Sequence, residues 1–242
     1  MPHFFINSKN VNNNCIVIDD NDTYRHIARA LRVRKGEQLL LIDENQIQYE
    51  TIVTEVTNSE VIVKVENSYK SLRSLPFGLY LAQSPLRSDA QSFVIEKATE
   101  IGVKGVYPVF TDNCAVSKDI VYKKIEKWQR IMFEASKQCE RADVPTCFAP
   151  CSLEDLVKNF DRIIVFCERI ASKTLKDIKP IQKDEDVLVI IGPEGGFSQR
   201  EFDFFEELGF EMLTLGNLIL KAETAVTVAL GNIVYEFTSA NS

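Results

Sequence analysis

Two hydrophobic patterns divide the 242-residue chain. Over about the first 70 residues, short runs rich in Ile, Val and Thr alternate with polar residues and are separated by Asn-rich turns, which predicts strands. The predicted strands are His3–Ile6, Cys15–Ile18, Gln38–Ile42, Ile47–Val56 and Val61–Glu66. One segment, Asp22–Arg34, has helical spacing, with Asp22 or Thr23 as its N-cap. Five short strands around one helix predict a small, partly closed barrel.

From about Pro76 onward, near-continuous apolar runs alternate with amphipathic stretches. The predicted strands are Gly78–Gln83, Gly105–Phe110, Arg162–Cys167, Asp186–Ile191 and Glu211–Leu215. The predicted helices are Asp89–Ile101, Ile120–Cys139, Ser152–Asn159, Ser198–Leu208 and Ala222–Phe237. This alternation predicts an α/β domain with a parallel sheet covered on both faces. The polar stretch Asn67–Ser74 is the predicted linker between the two domains.

The composition of the chain argues against several classes of protein. Apolar residues make up 45% and charged residues 26% of the chain, and no apolar run approaches the ~20 residues of a membrane helix. Residues 1–9 lack the layout of a secretory signal, and six scattered cysteines then indicate reduced thiols in a cytoplasm. With two histidines and one loose cysteine pair, Cys147 and Cys151, we expect no metal site. The net charge of −7 argues against bulk binding of nucleic acid, so any such contact needs a local basic patch.

The first basic patch lies in the predicted N-terminal helix, whose residues 24–35 include five Arg or Lys and no acid. On a regular helix Arg25, Arg29 and Arg32 share one stripe, while Leu31 packs against the strands. Like charges at this spacing repel each other, and an anionic partner relieves that cost. In a chain that is acidic overall, phosphate binding is favoured over a solvated basic face.

A second basic stretch runs from Lys123 to Arg130 and contains Trp128, the only tryptophan. An indole on a long amphipathic helix is more often a core residue than a platform for a base, so core packing is expected for Trp128. The role of the surrounding lysines stays open.

Three loops carry the candidate chemistry of the second domain. Gly192–Gly196 (Gly-Pro-Glu-Gly-Gly) follows a buried strand and precedes a helix that begins at a Ser198/Glu201 capping box. It matches neither a Walker loop nor a dinucleotide motif, and Glu194 would repel a phosphate, so a ligand with adenine, ribose and positive charge fits better. The Leu215–Ala225 segment and Cys167-Glu168 also follow strands. Ligands bind at the carboxyl ends of parallel strands, so the three loops predict one site.

These blocks also carry a family resemblance. The Gly192–Gly196 loop, followed by Leu215-Gly-x-x-Ile-Leu-Lys-x-Glu-Thr-Ala225, resembles the bacterial 16S rRNA (uracil-N3)-methyltransferases of the RsmE type, in the SPOUT superfamily. Further matching blocks, in the same order over nearly the whole chain, are His26…Leu31-Arg32…Gly36, Glu96-Lys-Ala-Thr-Glu-Ile-Gly-Val103 and Glu134-Ala-x-x-Gln138…Arg141…Val144-Pro145.

The resemblance implies an RNA-binding PUA-like β-barrel over 1–72 and, over 76–242, a SPOUT α/β domain with a trefoil knot that binds cofactor and dimerises. It implies S-adenosylmethionine as cofactor, 16S rRNA of the small ribosomal subunit as partner, and a homodimer. The implied cofactor-binding residues are Cys167, Glu168, Gly192, Pro193, Glu194, Gly195, Gly196, Leu215, Gly216, Leu220 and Ala225. The implied RNA-binding residues are Arg25, His26, Arg29, Arg32, Arg34, Lys35 and Arg141.

The chain departs from the family pattern mainly by losing arginines. Leu218 and Lys221 stand where the final loop usually carries two Arg, and Ala222 stands where Thr is usual. Ala90 falls at a helix start where Arg is frequent. Lys221 keeps the positive charge but lacks the planar fork that binds bidentately.

The expected reaction is methylation of N3 of one uridine. N3 must lose its proton, so a nearby cation would stabilise the resulting anion, and Lys221 is assigned that role. Glu223 and Glu194 are the candidates for taking the proton. Two alternatives remain: a SPOUT methyltransferase acting on another RNA position, or a catalytically weak RNA-binding module.

Overall fold

The structure is a computed structural model that describes residues 3–71, 73–168 and 170–239. The chain separates into two compact units. The first comprises the described residues of Met1–Ser74 together with Lys137–Asp143, and the second comprises those of Leu75–Ser136 and Val144–Ser242. The hydrophobic pattern did not predict that a short segment from the middle of the chain joins the N-terminal unit.

The first unit is built on a six-stranded sheet with the order β1-β4-β5-β6-β3-β2. Its strands are β1 (His3–Phe5), β2 (Val11–Asn12), β3 (Cys15–Ile18), β4 (Gln38–Ile42), β5 (Ile47–Val56) and β6 (Val61–Lys70). Only the β1–β4 pair is parallel. The five predicted strands are confirmed. The predicted linker is wrong at residues 67–70, because these residues continue β6 and pair with the start of β5.

The basic segment of this unit is not the regular helix that its spacing predicts. Helix α1 (Asn21–Tyr24) is capped by Asp20 and continues as a wider π-helical turn, Arg25–Ala30. The chain then leaves the helix, and Arg32 has a left-handed backbone with φ 54°. The single stripe of three arginines is therefore not formed, since i+4 neighbours align only on an α-helix. Leu31, expected to be packed, is 44% exposed.

The second unit contains a six-stranded sheet, entirely parallel, with the order β12-β10-β11-β7-β8-β9. The strands are β7 (Gly78–Gln83), β8 (Gly105–Pro108), β9 (Thr146–Cys147), β10 (Arg162–Phe166), β11 (Asp186–Ile191) and β12 (Glu211–Leu213). The helices are α2 (Ser88–Ile101), α3 (Lys118–Tyr122), α4 (Ile125–Gln138), α5 (Leu153–Leu156), α6 (Gln199–Glu207) and α7 (Ala222–Ser239).

Both faces of this sheet are buried, as its continuous apolar strands predict. Alternate residues of β11 belong to two different core clusters. Val187 and Val189 pack with α2 and α7, whereas Leu188 and Ile190 pack with Phe205 of α6. The predicted helix over 120–139 is in fact two helices, because the chain turns at residues 123–124. Within the described residues, no helix is both long and apolar enough to cross a membrane.

Strand order brings the three candidate loops to one edge. The central strand β11 lies between β10 and β7, and β12 lies on the other side of β10. All are parallel, so the segments that follow β10, β11 and β12 leave the sheet at the same end.

Candidate cofactor site

A cavity of about 590 Å³ opens where these segments leave the sheet. Its walls come from the ends of β10 and β11, the glycine loop, the start of α7, and single residues of α2 and α6. The lining residues are Ala90, Phe166, Cys167, Glu168, Ile191, Gly192, Pro193, Glu194, Gly195, Gly196, Phe197, Phe202, Ile219, Leu220, Lys221, Ala222, Glu223 and Ala225.

The cavity gathers most of the cofactor residues expected from the sequence, together with Lys221 and Glu223. Leu215 and Gly216 are not among the lining residues. Strand β12 ends at Leu213, so these two residues precede the part of the loop that reaches the cavity. Leu215 instead packs at the edge of the core, and Gly216 supplies a turn with φ 126°.

The glycine loop needs its small residues for two separate reasons. Gly196 has φ +70°, and its N–H donates to the Pro193 carbonyl at 2.9 Å, which closes the turn. A Cβ on Gly195 would lie 3.0 Å from the Cβ of Asn113, closer than ordinary packing. The loop therefore exposes backbone to the cavity while lying tightly against its neighbour.

The capping box predicted at the start of α6 is confirmed, and it does more than end the loop. Oε2 of Glu201 accepts from the Ser198 N–H at 2.8 Å, and Oε1 accepts from the Asp112 N–H at 3.0 Å. Arg200 binds the Asp112 carboxylate through two nitrogens, at 2.8 and 3.1 Å. This guanidinium, together with the Ser198 hydroxyl, lowers the pKa of Asp112 to about 2. The segment that follows β8 is thus fastened to the helix that follows the glycine loop.

Sequence reasoning missed several residues that hold the loop. Nδ2 of Asn113 donates to the carbonyls of Gly195 and Gly196, at 3.4 and 3.1 Å, and buried Gln83 donates to that of Gly192 at 3.2 Å. No local motif marks either residue. The edge-on packing of Phe197 against Phe202 was foreseeable, because they occupy the positions of a hydrophobic staple around the Ser198 cap.

The charged groups of the cavity are three carboxylates, from Glu168, Glu194 and Glu223, and one ammonium, from Lys221. Glu194 and Lys221 are exposed, whereas Glu168 and Glu223 are half-buried. Apolar side chains and exposed loop backbone form the rest of the wall. Such a site suits a ligand that combines a flat apolar group with a positive charge.

Cys167 is an inert part of this wall. Burial, reinforced by the nearby Glu168 carboxylate, raises the pKa of its thiol to about 11. A thiol in that state is a weak nucleophile at neutral pH. Among the described residues there is no group of three His, Cys, Asp or Glu side chains that could hold a metal ion.

The predicted RNA-binding residues fall into two classes. The side chains of the N-terminal basic patch are exposed and form no ion pair or hydrogen bond with any described residue: Arg25, His26, Arg29, Arg32, Arg34 and Lys35. Arg141 differs, because it is buried and pairs with Asp143 at 3.0 Å. Trp128 is 4% exposed, which confirms core packing.

Two family models match separate segments of the chain. A family model described as an RNA methyltransferase domain matches residues 73–234, and one described as an RNA methyltransferase PUA domain matches residues 18–66.

Several relatives match over most of their length. The ribosomal RNA small subunit methyltransferase E of Mesomycoplasma hyopneumoniae is 31% identical over 95% of this chain and 97% of its own, and that of Bacillus subtilis is 27% identical over 87% and 86%. A crystal structure of the corresponding Neisseria gonorrhoeae protein bound to S-adenosyl methionine superposes with a TM-score of 0.84, at 26% identity over 98% of both chains. A Legionella pneumophila methyltransferase in complex with the same cofactor gives 0.82, at 27% identity over 97% of both chains.

Proposed function

Since this chain belongs to the family of the ribosomal RNA small subunit methyltransferases E, we propose that it transfers a methyl group from S-adenosylmethionine to N3 of one uridine in 16S rRNA. The observation that carries the proposal is the cavity at the ends of β10 and β11, which the glycine loop and the start of α7 also line.

The residues of the cavity fit S-adenosylmethionine. The cofactor joins an adenosine to a positively charged sulfonium and an amino acid, and it supplies an electrophilic methyl group when bound. Apolar residues such as Phe166, Ile191 and Leu220 suit the adenine, and the glycine loop offers backbone groups for its polar edge. Glu168, Glu194 and Glu223 supply negative charge for the cationic groups.

Lys221 is proposed to stabilise the uracil anion. Loss of the N3 proton leaves a negative charge that spreads over the two flanking carbonyl oxygens. The Lys221 ammonium, at the rim of the cavity, stabilises that charge without a proton transfer of its own. Glu194 and Glu223, which line the same cavity, are proposed as the acceptors of the N3 proton.

The N-terminal unit is proposed to hold the RNA through its basic patch. Its cations are exposed and without protein partners in the described chain, as a phosphate-binding surface requires. Arg25 and Arg29 lie in the π-helical turn and Arg32 lies beyond it, so these cations do not share one helical stripe. Arg141 is left out of this contact, because its guanidinium is buried against Asp143.

The finer architecture also belongs to this proposal. We infer that the PUA-like sheet closes into a barrel, which is supported by the register irregularities that bend β5 against β6. We infer a SPOUT trefoil knot, which is supported by the placement of β11 between β7 and β10.

A homodimer is supported by apolar side chains of α2, α7 and the final loop that stay exposed: Phe93, Leu218, Ile219 and Tyr235. A cytoplasmic location fits six cysteines without disulfides.

The test is methyl transfer to small ribosomal subunits purified from a strain that lacks this modification. With methyl-labelled S-adenosylmethionine and nucleoside mass spectrometry, we expect 3-methyluridine at one site. Label on another nucleoside would keep the reaction class and overturn the target. Cofactor binding without any transfer would indicate an RNA-binding module instead.

The role of Lys221 is tested in the same assay. Lys221→Ala is expected to lower the turnover number at least tenfold while the cofactor dissociation constant changes little, and Lys221→Arg is expected to restore much of the rate. Lys183→Ala, which removes an exposed lysine away from the cavity, serves as the control. Full turnover of Lys221→Ala would remove this residue from the mechanism.

A further inference from the structure

A second cavity of about 330 Å³ lies on the methyltransferase unit, between the start of α2 and the helices α3 and α4. We call it the α2–α4 cavity. Among the described residues it shares no lining residue with the cofactor cavity. Leu86, Val121 and Trp128 give it a buried apolar floor. The proposed reaction, as derived above, assigns it no role.

The rim of the α2–α4 cavity is positively charged. Arg87, Lys124 and Lys127 line it with exposed side chains, and none of its described lining residues is acidic. This is notable in a chain that carries 35 acids against 28 Lys and Arg residues. Helix α2 begins here at Ser88, and its N-cap residue Arg87 makes no side-chain cap bond, so the positive end of a 14-residue helix also lies at this rim. These positive charges favour an anionic ligand.

Two largely buried side chains line the same cavity, and each carries a hydrogen-bond donor without an acceptor among the described residues. Trp128 is 4% exposed, and its indole N–H has no hydrogen bond to any described residue. Gln91 is 1% exposed; its Oε1 accepts from the Leu86 N–H at 2.7 Å, but its amide nitrogen has no acceptor in the described part of the chain. Neither nitrogen is among the fully buried polar atoms of the described residues that lack a partner, so both are open to the cavity. A ligand that supplies oxygen acceptors would satisfy both groups.

The α2–α4 cavity lies close to the cofactor cavity. Ala90 lines the cofactor cavity and the next residue, Gln91, lines the α2–α4 cavity, so the two open on either side of one helical turn. Likewise, Asn113 binds the glycine loop, and Val116, three residues later, lines the α2–α4 cavity. The two cavities are therefore adjacent, as a strand that reaches both of them requires.

We propose that the α2–α4 cavity binds a phosphodiester of the RNA strand next to the target uridine. In this proposal Lys124, Lys127 and Arg87 pair with the phosphate, and the Trp128 and Gln91 N–H groups donate to oxygens of the same nucleotide. The proposal rests on the proposed function, since it assumes an RNA substrate with its target base at the cofactor cavity. In this proposal the second basic stretch, Lys123 to Arg130, helps the methyltransferase unit to bind RNA.

The test compares two double variants with equal change in charge. Lys124→Ala/Lys127→Ala removes the cavity's lysines, and Lys123→Ala/Arg130→Ala removes two exposed cations of the same region that do not line it. Affinity for an rRNA fragment containing the target uridine is measured by fluorescence anisotropy over a salt series. Cofactor affinity without RNA and sedimentation mass are measured alongside.

We expect the cavity variant to bind the fragment about tenfold more weakly, the loss typical of one charge-assisted contact. The slope of log affinity against log salt should fall by about 0.7 to 0.9, as for one lost phosphate. Cofactor affinity should not change, and the control should match wild type. Trp128→Phe, which keeps a ring but removes the N–H, should weaken RNA binding severalfold at unchanged cofactor affinity.

Equal RNA affinity and salt slope for the two double variants would overturn the proposal. So would a change of sedimentation mass confined to the cavity variant, which would make the cavity a contact between copies of this chain. If wild type itself neither binds the fragment nor methylates subunits, the proposed function fails. If wild type methylates subunits and the two double variants agree, only this inference fails.

Discussion

Glu201 joins the end of the glycine loop to the segment that follows β8, and the cost of replacing it by alanine can be worked out from its hydrogen bonds. The residue is 3% exposed, and its two oxygens accept the N–H groups of Ser198 and Asp112. The first bond completes the cap of α6 and the second holds the segment that carries Asn113. Alanine removes both acceptors at once and leaves two backbone donors without their partners.

The expected loss is the sum of two terms. Losing a capping interaction costs about 1 kcal/mol. The Asp112 N–H lies in a half-buried position, so leaving it without a partner costs about 1 to 2 kcal/mol, the lower part of the range for buried groups. Glu201→Ala should therefore lower the free energy of unfolding of the second unit by about 2 to 3 kcal/mol. Glu201→Gln, which keeps one acceptor oxygen, should lose about half as much.

Urea unfolding followed by tryptophan fluorescence measures the free energy of unfolding of the second unit selectively, because Trp128 is the only tryptophan and belongs to that unit. Glu206→Ala, which removes an exposed acid from the same helix, controls for the change in charge. The cofactor dissociation constant should also rise for Glu201→Ala, since both loops lose an anchor. If Glu201→Ala unfolds at the same urea concentration as Glu206→Ala, the assigned role of this carboxylate is wrong.

Three further predictions concern the same region. Arg200 and Ser198 lower the pKa of Asp112 to about 2 from 3.8. This carboxylate therefore stabilises the fold above pH 4, and its contribution disappears as the pH falls towards 2. The difference in melting temperature between wild type and Asp112→Asn should shrink over that interval. The pKa of the Cys167 thiol is raised to about 11, so iodoacetamide at pH 8 should leave this thiol unmodified in the native protein. If mass spectrometry shows that Cys167 is labelled as fast in native protein as in urea, the raised pKa is wrong. Gly196 has φ +70° with open space beside it, so Gly196→Ala should cost about 1 kcal/mol through backbone strain alone, read from urea unfolding, and a cost near zero would refute the strain.

Local patterns in the sequence determined the elements of this protein and the position of its loops. The apolar run Asp186–Ile191, the Gly-Pro-Glu-Gly-Gly turn after it and the Ser198/Glu201 cap each depend on residues within a few positions of one another. Strand and helix periods, glycine conformations and caps are properties of such short segments, and they can be read directly. The resemblance of the two-loop signature added the family, which the comparisons confirm.

Tertiary structure alone decided how distant residues complete the two cavities. Gln83 reaches the carbonyl of Gly192, 109 residues away, only because β7 pairs with β11 in that register. The π-helical turn Arg25–Ala30 also departs from the regular helix that its spacing predicts. Lys124 became part of a cavity because α4 packs beside the start of α2. Strand order and helix packing depend on contacts between segments far apart in the chain, and no local period encodes which segments meet.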